Sequence, residues 1–72
     1  MSMAKNLMQE AMAIERTGDV EMSGCFRQVA FMAEEQDLLG LKDFVAAQLA
    51  KASGHAVSCW QAAADFLENG GR

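Results

Sequence analysis

The chain contains no proline and no tyrosine, and only one histidine, one tryptophan and two cysteines. Nothing therefore opposes helix formation in the way a scattering of prolines would, and helical structure is favoured throughout. Two cysteines are too few for a disulfide framework, so a bridge between Cys25 and Cys59 is allowed but not demanded. Cations are also scarce. Six Lys and Arg stand against ten Asp and Glu, giving a net charge of −4. Nucleic-acid binding needs clustered basic groups that displace counterions from phosphates, and this chain lacks them. An acidic surface is instead suited to a basic protein surface.

Long apolar runs are missing too. None approaches the roughly 20 residues of a membrane span. The segment from Met1 to Arg16 has no apolar core and carries Glu10 and Glu15, so it does not read as a secretory leader. The expectation is a reduced, cytoplasmic protein with no membrane contact. There is no glycine-rich phosphate loop, nucleophile elbow or metalloprotease motif, so no enzyme is expected.

What is present is an amphipathic pattern. With 72 residues there is room for one domain, 1–72, and 51% of them are hydrophobic. A chain this small buries only roughly 60% of its unfolded surface, so a staple or a partner subunit would help it. The periodicity predicts an all-α fold of three to four short antiparallel helices, as hairpins or a small bundle that dimerisation can complete.

A first helix, at about 3–16, carries Ala4, Leu7, Ala11 and Ile14 on one stripe, widened by Met8, with Ser2 as cap and Gly18 as stop. A second, at about 20–36, starts at the Asp19 cap and aligns Met22, Cys25, Phe26, Val29 and Ala33. A third, at about 38–53, starts at Asp37 and aligns Leu38, Leu41, Phe44, Val45, Leu49 and Ala52. Gln48 falls inside that apolar face without an evident reason. A fourth, at about 56–68, packs Ala56, Trp60, Ala63 and Leu67. A break at Ser53–Gly54 is preferred over one helix running from Leu41 to Glu68. Residues 69–72 read as a frayed tail.

Gly18 and Gly54 thus punctuate two hairpins. Ala11 and Ala47 precede each glycine by seven residues, and Ser23 and Cys59 follow each by five. This spacing resembles that of the tetratricopeptide repeat, a helix–turn–helix unit. The family's large signature residues are not matched: Asp43 stands opposite Leu7, and tyrosine and proline are absent. No site is carried over from it.

Three groups of residues invite a functional reading. Cys25, His55 and Cys59 are potential zinc ligands, but a structural site takes four, and the fourth would have to be a carboxylate such as Asp19. The set looks incomplete, and no metal or cofactor is expected. His55 and Cys59 also have the helical spacing of a nucleophile pair, yet no orienting group or oxyanion hole accompanies them.

The second group is a stripe formed by His55, Cys59, Ala62 and Phe66 beside the main face of the last helix. Together the two stripes cover about half of its circumference by the 100° step. That helix should lie in a groove between two neighbours or pack across a subunit interface.

The third group is on the second helix. Phe31 lies about 180° from the centre of the apolar face. Val20 and Gly24 share this back face, Arg27 lies at its margin, and Glu34 and Glu35 form an acidic rim. Either the helix is buried on both sides within one chain or Phe31 anchors a contact.

The expected function is a small non-catalytic interaction or regulatory module acting through helix faces, with itself as a homodimer or with another protein. Its first contact face is Val20, Gly24, Arg27, Phe31, Glu34 and Glu35, and its second is His55, Cys59, Ala62 and Phe66. One alternative is a compact acidic inhibitor or decoy, of the kind mobile elements carry, that blocks a basic surface of a larger machine. Another is a thiol- or metal-dependent protein.

Overall fold

The computed structural model describes residues 2–71. Among them four helices follow in order: α1 (Met3–Arg16), α2 (Val20–Met32), α3 (Leu38–Lys51) and α4 (His55–Glu68). Three of the four starts are set by side-chain caps. Ser2 Oγ accepts from the Lys5 amide at 3.1 Å, Asp19 Oδ1 from Met22 at 3.0 Å and Asp37 Oδ1 from Gly40 at 2.8 Å. Each removes one of the orphan donors at a helix N-terminus.

Helix α2 stops at Met32, four residues short of the expected 36. Its last turn has no basic residue, and Glu34 and Glu35 oppose the negative end of the helix dipole. The chain tightens there into three-residue bonds, from the Glu34 amide to the Phe31 carbonyl and from Glu35 to Met32. Helices α3 and α4 are separate. Helix α3 ends at Lys51 rather than 53, with Ala52 extended, and α4 begins at His55, one residue before the expected start. Gly54 sits between them at φ 63°, ψ −140°, a backbone region that side chains resist.

Residues 69–71 of the expected tail are hydrogen-bonded to the fold. Gly70 at φ 80° donates to the Leu67 carbonyl at 2.9 Å, and Gly71 donates to that of Phe66 at 3.0 Å. This pair of bonds is a Schellman stop. The Gly71 carbonyl then accepts from Asn6 Nδ2 at 3.1 Å, and the Met3 side chain lies against Gly71, so the end of α4 is tied to α1. Arg72, the last residue of the expected tail, lies outside the described residues, as does Met1.

Helix α2 is the shared wall. It packs against α1, α4 and α3, α3 also packs against α4, and α1 meets no other helix than α2. Toward α4 it presents Phe26, whose ring meets Phe66 edge-on at 5.7 Å. Toward α1 it presents Arg27, bonded to Glu15 and, at 3.7 Å, to Met8 Sδ. Ser23 and Ala30 lie on the Arg27 stripe, and both are buried. The single apolar face read from the sequence is therefore too narrow. A second neighbour covers Ser23 and Ala30, while Ala33 becomes the helix cap and is half-buried. The remaining core is built from Leu7, Ala11, Val29, Leu41, Val45, Cys59, Trp60, Ala63 and Leu67.

Gly24 lies in the middle of α2, exposed, and a Cβ there meets nothing within 4 Å. Gly24→Ala should stabilise the isolated chain by about 0.5–1 kcal/mol, because alanine loses less backbone entropy on forming helix. Thermal unfolding should show this as a midpoint several degrees higher.

Candidate functional site

With α1 and α4 covering two sides of α2, a third side stays open. Val20 is 73% exposed and Phe31 65%, and Gly24 is exposed between them. Glu34 and Glu35 follow as an exposed rim. Arg27, at the margin of this face on the helical wheel, turns instead to α1 and is half-buried against Glu15 and Met8.

At Phe31 the open face runs into a groove of about 520 Å³. Gln28, Phe31, Met32 and Glu35 line one wall, and Phe44 and Gln48 of α3 line the other. Phe44 is held from behind by Trp60, edge-on at 5.9 Å. Here Gln48 finds its reason: a polar residue inside the apolar stripe of α3 faces a groove rather than the core. The contribution of α3 was not foreseen from the sequence, and Gln48 was the one signal that pointed to it. A smaller depression of about 370 Å³ lies between α3 and α4, with the exposed Leu39 at its edge. The Lys42–Glu68 pair at 3.6 Å joins two of its lining residues.

The stripe offered as a second contact face is covered from within the chain. Cys59 has no exposed surface, Phe66 packs on Phe26, and Ala62 and Phe66 are half-buried. Only His55 is exposed. Of the two expected placements for α4, the groove between two neighbours is the observed one: it packs on both α2 and α3.

His55 nevertheless takes part in a cluster. Its Nε2 lies 3.3 and 3.2 Å from the two carboxylate oxygens of Asp19, linking the turn before α2 to the turn before α4. Cys59 Sγ stands one helical turn along α4 from His55, and the ligand atoms of Asp19, His55 and Cys59 all lie within 4.8 Å of one another. The Cys25 thiol of α2 neighbours that of Cys59. The Met22 amide and the His55 ring hold the Asp19 carboxyl below its ordinary value. Burial pushes the Cys25 thiol up to about 11, helped by the nearby Cys59, and burial also raises Cys59.

Comparison with protein families, with curated proteins and with solved structures finds no match for this chain.

The titrations have definite signs. Asp19 is depressed, so its contribution to stability is complete above 3.8 and is lost as pH falls through its lower folded value. Asp19→Asn should flatten that part of the acid limb in urea titrations. Cys25 is raised, so its contribution is complete below 9.0 and is lost as pH climbs toward about 11, because the unfolded thiol ionises first. Cys25→Ala should remove that alkaline component. Both thiols should react with iodoacetamide far more slowly in the folded chain than in urea, as followed by mass.

Proposed function

We propose that this chain is a small non-catalytic interaction module that receives an apolar segment flanked by basic residues from another protein. The observation that carries the proposal is Phe31. It is 65% exposed at the edge of a groove with Met32 and Phe44 in its walls, in a chain whose other three phenylalanines are buried or half-buried. An aromatic anchor beside a charged rim is the usual composition of a contact that carries binding energy.

Charge argues for the kind of partner. Glu35 is the one ionic residue among the groove's lining side chains, and Glu34 adjoins it. A second copy docking about a two-fold axis through the groove would bring these carboxylates toward their own images. A basic partner meets no such repulsion. A basic surface on a larger protein machine, once occupied in this way, would be blocked, which is the behaviour of an inhibitor or decoy. The groove is open rather than enclosing, which suits a protein segment better than a buried small substrate. Two buried free thiols suit a reducing compartment such as the cytoplasm.

A test is titration with an amphipathic helical peptide of Leu and Lys, read by NMR shifts in Phe31, Met32 and Phe44. Binding should centre on those residues, and Phe31→Ala should weaken it by more than about tenfold with the fold retained. Reversing Glu34 and Glu35 to lysine should weaken it and remove most of its salt dependence. Shifts located elsewhere, or equal affinity in Phe31→Ala, would sink the proposal. A dimer by light scattering that Phe31→Ala dissociates would make the occupant a second copy instead.

A further inference from the structure

We propose that Asp19, His55 and Cys59 bind one zinc ion where the two helical hairpins meet, with water in the fourth position. The sequence places Asp19 in the turn before α2 and His55 and Cys59 on α4, and folding gathers them. His55 and Cys59 are four residues apart on α4, the spacing that aims two side chains at one point. Asp19 comes from the opposite hairpin, and its carboxylate already faces His55 Nε2 at 3.2 Å.

That separation is informative. Tetrahedral zinc with bonds of about 2.0 Å to nitrogen and oxygen holds those two atoms about 3.3 Å apart. The bond from the Met22 amide fixes Asp19 Oδ1 and leaves Oδ2 facing the ring, as an outer partner does at a metal site. Cys59 closes the inner side of the cluster with no exposed surface. His55, exposed, leaves an entry from solvent.

A sulfur, an imidazole and a carboxylate are a donor set for zinc, not for magnesium or calcium, which take oxygen. Binding releases the Cys59 thiol proton to solvent, and zinc takes its place. One thiolate and one carboxylate then balance the charge of the divalent ion. The ion would join α1–α2 to α3–α4 through ligands from both hairpins, the kind of staple a domain this small benefits from.

The test uses the full chain, reduced and freed of metal, with zinc and then cobalt as the only additions. Native mass spectrometry should show one zinc per chain, and the melting temperature should rise. Cobalt should give the strong visible bands of tetrahedral coordination and a sulfur-to-cobalt charge-transfer band. His55 is exposed, so His55→Ala should keep its fold, checked by circular dichroism. It should lose more than the roughly 10–100-fold in affinity that removal of an outer partner costs. Cys59→Ser should remove the charge-transfer band, whereas Cys25→Ser should leave it in place. A zinc-free mass, a cobalt spectrum without sulfur, or equal affinity in His55→Ala overturns the proposal. So does a Cys25–Cys59 disulfide that forms in place of metal binding.

Discussion

The contact between Phe26 of α2 and Phe66 of α4 joins the two hairpins, and most of the remaining structure follows from it. Each hairpin alone is a pair of short helices of about a dozen residues, too short to be stable in isolation. Once α4 lies against α2, Cys59 is sealed, Trp60 is set against Phe44, and α3 is drawn to the end of α2. The turn before α4 is then brought beside the turn before α2, where His55 meets Asp19. The far end is fixed as well, because the Schellman stop after α4 turns the Gly71 carbonyl toward Asn6.

This arrangement divides the surface of α2 into three. Two sides are covered, by α1 and by α4, and the third carries Val20, Gly24 and Phe31 into solvent. A helix buried on two sides need not be buried on all. The helix is packed on two sides within the chain, and Phe31 is nevertheless open.

The two candidate sites differ in physical character. The groove at Phe31 is apolar and acidic at its rim, and its binding energy would come from removing aromatic surface from water. The cluster at Asp19 consists of hydrogen-bonding and ionisable groups drawn together by the hairpin contact. They lie at opposite ends of α2, so a protein partner and an ion could be bound together.

The helices were legible because their signals are local. Capping residues Ser2, Asp19 and Asp37 and the apolar period need only the neighbouring turn to be recognised. The boundaries at Met32 and Lys51 were less so, because dipole and loop constraints trim a helix after the pattern has ended. Which stripe meets which helix is not a local property. Cys59 and Phe66 read equally well as an intersubunit face or as the inner side of a groove, and only the packing of α4 on α2 and α3 decided between them. The same is true of the ligands: Asp19 could be named beside His55 and Cys59 from composition, but their separation is a tertiary distance. By itself the sequence determined an all-helical chain, three of its helix starts and an excess of acidic charge. The tertiary structure decided that α3 completes a groove at Phe31 and that the turn before α2 and the start of α4, far apart in the chain, share one cluster.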